Sequence, residues 1–261
     1  MTIAKSGHRI ESLEDWERYA GPKKPTQWKD GRSAKEVARA WLSAQGSLPA
    51  EVTAAIASNP SFGLISCWEA EPEALQPFDK FRGEPRNCDL AIYANDQYGP
   101  FLIAVEAKAD EPFGDTVGKV LAAAVKTLAQ NPCSNGVARI EQLLIALIGH
   151  GLHKEPSLGS LRYQLLTATA GALSAAERAK IKRAVVFVHE FVTDVTTDEK
   201  HAINAADLSN FVSRLSNGSM QTVESGCVYG PFVLPPDAPL VSSGVELFVG
   251  KATRSLRQNG V

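Results

Sequence analysis

The feature that most constrains this chain is the run Phe101-Leu102-Ile103-Ala104-Val105-Glu106-Ala107-Lys108, an apolar strand that closes on a carboxylate and an ammonium two residues apart. Side chains alternate across a sheet, so Glu106 and Lys108 share a face with Leu102 and Ala104, while Ile103, Val105 and Ala107 pack on the other. A charged pair stands where core would be expected. Seventeen residues before Glu106 comes Asp89, inside a second apolar run, Cys88-Asp89-Leu90-Ala91-Ile92-Tyr93, and residues 94–100 read as the hairpin turn joining the two. Two acids and one lysine can therefore converge. The plain alternative is an exposed cross-strand ion pair, contributing about 0.2–1 kcal/mol. Another acid-x-lysine triplet, Asp198-Glu199-Lys200, has no apolar alternation around it and reads as a solvated loop.

Asp89 on one strand followed by Glu106-Ala107-Lys108 on the next resembles the PD-(D/E)XK nuclease superfamily, whose fold is restriction-endonuclease-like. About twenty residues match closely. The resemblance implies an α/β fold: a mixed central sheet flanked by helices, with Asp89 on the second core strand, Glu106 and Lys108 on the third, and a helix and a further strand after them. Cys88 stands where the family pattern has proline, and Pro85 lies nearby but not adjacent.

With 261 residues, 44% apolar content and no run of eighteen apolar residues, the chain reads as a soluble protein with one sizeable domain. Residues 1–60 form an N-terminal arm and helices, 61–192 the nuclease-like core, and 193–261 a sheet extension. The N-terminal stretch has no long apolar segment of the secretory kind, so the expected location is cytoplasmic. Cys67, Cys88, Cys133 and Cys227 are widely spaced and read as free thiols, mostly buried. A net charge of −2 is awkward for a nucleic-acid binder, because phosphate affinity comes mostly from Lys and Arg. Basic residues nonetheless gather at Lys23, Lys24, Lys29, Arg32, Lys35 and Arg39, again at Lys80, Arg82 and Arg86 beside Phe78 and Phe81, and at Arg178, Lys180, Lys182 and Arg183.

Ser33 reads as the N-cap of a helix with Glu36 three residues on; Glu36 fits a capping box as well as it fits the extra acid that many members of the superfamily carry on a helix before the hairpin, and it stays outside the expected site. A short helix over 49–58 precedes a strand over 62–69, which would pair beside the Asp89 strand and end on Glu69, a third candidate metal ligand. Residues 72–86 read as loop. Helices follow over 117–130, 137–147 and 160–173, then a strand over 184–191, a helix over 205–215 and strands over 228–234 and 245–249. Gln164, Ala168 and Gly171 share one helical face of small residues set against the sheet, with Arg162 turned away. A glutamine on this helix also occurs in some branches of the superfamily, which makes Gln164 a site candidate. His189 reads as a buried, hydrogen-bonded histidine, and His150 and His153 lack the cysteine partners that zinc would ask for.

The resemblance implies metal-dependent phosphodiester hydrolysis of nucleic acid, DNA rather than RNA. Asp89 and Glu106, with Glu69, would hold Mg2+ or Mn2+, and Lys108 and Gln164 would complete the catalytic set. Magnesium prefers hard oxygen ligands and keeps several waters, one of which can be deprotonated and aimed at phosphorus. A two-fold homodimer would suit double-strand cutting. The alternative is a catalytically inactive module of the same fold that binds nucleic acid or a protein partner. A Schiff-base role for Lys108 is disfavoured by the carboxylate of Glu106.

Overall fold

The computed structural model describes residues 1–81, 83–149, 155–235 and 244–257. Arg82, His150 and His153 lie outside them. The chain begins with two short strands, β1 (Thr2–Lys5) and β2 (His8–Arg9), and a helix, α1 (Leu13–Ala20), closed at its start by a Ser12/Asp15 capping box. The stretch expected as an ordered arm or loop thus carries two short strands and a helix. After a 3₁₀ turn at Pro25–Gln27 come α2 (Ser33–Ser43), α3 (Ala50–Ala57) and the strands β3 (Cys67–Gln76), β4 (Arg86–Asp96) and β5 (Gly99–Lys108). Three helices, α4 (Val117–Gln130), α5 (Gly136–Leu147) and α6 (Tyr163–Arg178), lead to β6 (Arg183–Val192). Helix α7 (Asp198–Leu215), β7 (Cys227–Phe232) and β8 (Glu246–Ser255) complete the order.

All eight strands join one mixed sheet in the order β2-β1-β3-β4-β5-β6-β8-β7. Strands β3, β4 and β5 form an antiparallel meander, whereas β5, β6 and β8 run parallel. Parallel neighbours need long crossovers, here the helical segments between β5 and β6 and between β6 and β8. Those helices cover one face: Leu165, Leu166, Phe211 and Val212 pack on Leu102, Ala104 and Val186. On the other face, α1, α2 and α3 pack Trp16, Trp41 and Ile56 on Phe101, Ile103 and Val105. The alternation along β5 is thus the one expected, and because both faces are covered even its outward-looking residues are buried. Each fully buried Leu, Ile or Phe contributes roughly 1.5–3 kcal/mol.

The structure departs from the sequence expectations in several places. The strand beside β4 starts at Cys67, not at 62, and runs through Pro72 to Gln76. Proline is tolerated there because β1 pairs with β3 only at Glu69 and Ala70, so the far side of β3 beyond them is an edge. The hairpin turn shrinks to Gln97 and Tyr98: Asp96 Oδ1 accepts from Tyr98 N at 2.8 Å, and Gly99 supplies a φ of +104°. Ser33 opens α2 but does not cap it; its hydroxyl donates to Glu111, while buried Glu36 accepts from Gly31 N at 2.7 Å and from Arg39 at 2.8 Å. Finally, Asp198-Glu199-Lys200 is the first turn of α7, capped by Thr197, where acids complement the helix dipole. All four cysteines are free, but only Cys88 is buried. Among the described residues no helix is long and apolar enough to cross a membrane.

Candidate functional site

The sheet forks at the end of the β4–β5 ladder. Leu90 pairs with Val105, and no backbone pairing follows it on that side. Beyond this point β4 continues only with β3, through Cys88, Asn87 and Arg86, and β5 continues with β6, through Glu106, Ala107 and Lys108. Asp89 thus sits on one prong, with Glu106 and Lys108 on the other. Asp89 Oδ2 accepts from Ala107 N at 2.7 Å, so a carboxylate takes the place of the missing ladder carbonyl and ties the prongs together.

Glu106 and Lys108 lie buried at the base of the fork. Lys108 Nζ lies 2.9 Å from Glu106 Oε1 and 5.0 Å from the centre of the Phe113 ring. Gln164, on the first turn of α6, bridges the pair: its Nε2 donates to Glu106 Oε1 at 2.6 Å and its Oε1 accepts from Lys108 Nζ at 3.2 Å. The second oxygen of Glu106 accepts from the guanidinium of Arg86. Burial alone would raise the Glu106 pKa, but Arg86 and Lys108 outweigh it and hold the carboxyl below its usual range. Burial likewise opposes the charge of Arg86, and Glu106 more than restores it. Asp89 takes the opposite course: burial, followed by the negative charge of Glu106, pushes it up to about 8.

A third acid, Glu73, lies on β3 between the pairs Pro72–Leu90 and Ala74–Cys88 and lines the same cleft as Asp89, with a φ of +50° that a non-glycine residue rarely adopts. Its side chain accepts from Asn87, and burial raises its pKa. Sequence reasoning missed Glu73 because Pro72 seemed to open a loop. The signal was available: Trp68, Ala70, Pro72, Ala74 and Gln76 are buried in alternation with Glu69, Glu71 and Glu73. Glu69, by contrast, is exposed and pairs with Tyr93, four residues along β4 from Asp89, or roughly 13 Å at strand rise. It does not join the fork.

The fork opens into a cleft of about 570 Å³ whose near wall is Glu73, Asn87 and Asp89 and whose far wall is Trp16, Gln27 and Arg32 from the N-terminal segment. Lys23 also lines it, so part of the first basic cluster faces the acids. The middle cluster divides: Arg86 enters the fork, while Lys80 joins Phe81 and Arg139 in a separate cleft of about 640 Å³ that, among the described residues, no carboxylate lines. Of the last cluster, Arg183 is buried in a two-pronged pair with Asp96, at 2.8 and 3.0 Å. Arg162 binds Asp207 at 2.7 Å, away from the fork. His189 is buried with Nε2 2.9 Å from Glu51 Oε1, as a core histidine would be.

Among the described residues no three His, Cys, Asp or Glu side chains are grouped as a ready-made metal cage. Two converging carboxylates are nevertheless what magnesium commonly takes from a protein, the remaining ligands being water and substrate oxygens. The donor set at Asp89 and Glu106 fits such an ion: hard oxygens only, and an acid whose charge the surroundings leave poorly compensated.

Residues 9–256 match the family described as a domain of unknown function (DUF6946), and the chain belongs to that family. No curated protein and no solved structure matched the chain.

Proposed function

For this member of the DUF6946 family we propose metal-dependent phosphodiester hydrolysis of nucleic acid, DNA in preference to RNA, at a PD-(D/E)XK-type site. The observation that carries the reading is the fork, which brings Asp89, Glu106 and Lys108 from two strands to the base of one cleft. The order of elements supports it, with Asp89 on the second strand of the β3–β4–β5 meander, Glu106 and Lys108 on the third, and α6 and β6 after them. Asp89 and Glu106 would hold Mg2+ or Mn2+, and the ion would activate a water and steady the phosphate oxygens. Lys108 supplies positive charge beside the reacting phosphate. Gln164 keeps Lys108 and Glu106 in register with each other. Arg32, paired with Asp110 at 2.6 Å, and Lys23, paired with Glu84 at 3.1 Å, also line the cleft and would have to exchange these partners for the substrate backbone.

The test is incubation of the purified protein with linear duplex DNA, single-stranded DNA and RNA under Mg2+ or Mn2+. Cleavage that disappears in Lys108→Ala and in EDTA is expected. Intact substrates in every condition, together with no divalent-ion binding, would overturn the proposal.

One observation favours the second reading, a nuclease-fold module without catalysis: Glu106 is already neutralised by Arg86 and Lys108. That module would bind nucleic acid or a protein partner equally well as Lys108→Ala. The enzyme would bind without cutting.

A further inference from the structure

Arg86 and Gln76 face each other at the last rung of the β3–β4 ladder. They line a gap with Cys88, Glu106 and Ala168, beneath α6. Cross-strand partners have Cβ atoms about 5 Å apart, within reach of a side-chain hydrogen bond. No such bond is made. Gln76 is 2% exposed, yet neither its Oε1 nor its Nε2 has a hydrogen-bond partner among the described residues, and the same holds for Arg86 Nε. The gap has no room for a water-sized sphere, so water lodged there is not the missing partner. Gly171 keeps the place open for the amide, since a side chain at that position would meet Gln76 Oε1 at 3.0 Å.

Buried polar groups are nearly always paired, and each exception asks for a reason. Here the reason is visible on Arg86. Its guanidinium is drawn to Glu106, and the acceptor beside it goes unused. We infer that Arg86 is the resident counter-ion of Glu106, occupying the carboxylate until a divalent cation arrives, and that Gln76 Oε1 is the acceptor onto which Arg86 then moves. The inference rests on the metal reading above. A cation at Glu106 repels the guanidinium, and the vacant amide offers it a bond with little displacement. Without Arg86 the empty site would leave the second oxygen of buried Glu106 without its cation, and Lys108 and Gln164 would hold the carboxylate from one side. Arg86 and Gln76 are positioning residues, acting on the metal through Glu106.

The test is calorimetric titration of Mn2+ into the wild type, Arg86→Met, Gln76→Met and the double variant at one pH. Arg86→Met is expected to tighten Mn2+ binding by about ten-fold and Gln76→Met to weaken it by about five-fold, with the second change silent in the presence of the first. If Arg86→Met does not fold, Gln76→Met decides alone, because it keeps the Arg86–Glu106 pair. Mn2+ affinity unchanged in Gln76→Met, or weakened equally in both backgrounds, would overturn the inference while leaving the metal site standing. No Mn2+ binding by the wild type would remove the metal reading itself.

Discussion

Replacing Lys108 by methionine removes a charge from the base of the fork and shortens the side chain by one heavy atom. Lys108 is 4% exposed, and its ammonium lies within hydrogen-bond reach of Glu106 and Gln164 and over Phe113. Breaking a buried ion pair from one side costs about 3–5 kcal/mol, because the remaining charge is stranded. Glu106 is not stranded here, since Arg86 and Gln164 still contact it. Methionine also recovers some packing that lysine supplied through its stem. The loss is therefore expected at about 2 kcal/mol. Gln164→Leu removes two hydrogen bonds but no charge and should cost about 1–2 kcal/mol. Urea unfolding followed by tryptophan fluorescence measures both, with Trp16 reporting from the cleft wall. In cleavage, Lys108→Met should lose about 10²–10³-fold, as removal of one charge-stabilising donor does elsewhere. A Lys108→Met protein as stable as the wild type, or one that retains its cleavage rate, would refute the reasoning, since the first outcome means that Lys108 does not hold Glu106 and the second that it does not serve the reaction.

Glu69→Ala should change neither Mn2+ affinity nor stability by more than about 0.5 kcal/mol, because Glu69 is an exposed strand residue remote from the fork; a lost ion would show that it is a ligand after all. Asp96→Asn should cost about 3–5 kcal/mol in urea unfolding by stranding Arg183 at the opposite end of β4, with Mn2+ binding intact; a weakened ion would link two sites that the sheet keeps apart. Acid should unfold the protein in two overlapping stages. Burial depresses His189 below its ordinary 6.5 even though Glu51 favours its charge, so the folded state binds fewer protons than the unfolded one and stability falls as pH drops below 6.5. Burial opposes the charge of Glu51, but hydrogen bonds from His189 and Arg254 bring it down from 4.5 to about 2, so its contribution is present above 4.5 and is lost as pH falls toward 2. Melting temperatures recorded across pH 2–7 should show Glu51→Gln flattening the lower stage; an unchanged slope there would count against the pairing.

Most of the architecture could be read along the chain, because the strongest elements carry uninterrupted patterns. The apolar run ending at Lys108 is β5, and the alanine- and leucine-rich stretches after it are α4, α5 and α6. The convergence of Asp89 with Glu106 and Lys108 follows from strand alternation and a short hairpin, both local properties, and Gln164 from helical spacing. What escaped was set by tertiary context. Pro72 was a breaker on paper and an edge residue in the sheet, which hid Glu73 and moved Glu69 away from the site. Arg86 looked like a basic loop residue, and only its burial beside Glu106 shows it to be a counter-ion. Ser33 and Glu36 had the spacing of a capping box, but longer-range partners at Glu111 and Gly31 took their side chains. The Asp198 triplet held a readable signal in Thr197, whose hydroxyl accepts from Lys200 N to start α7.

The most direct measurement is a crystal structure of the protein soaked in Mn2+, with anomalous density used to locate the ion. A single ion bridging Asp89 and Glu106 at about 2.1 Å from their oxygens, with Lys108 beside it, is the predicted result. An apo fork after soaking, with Arg86 still on Glu106 and any bound manganese elsewhere on the surface, would contradict it.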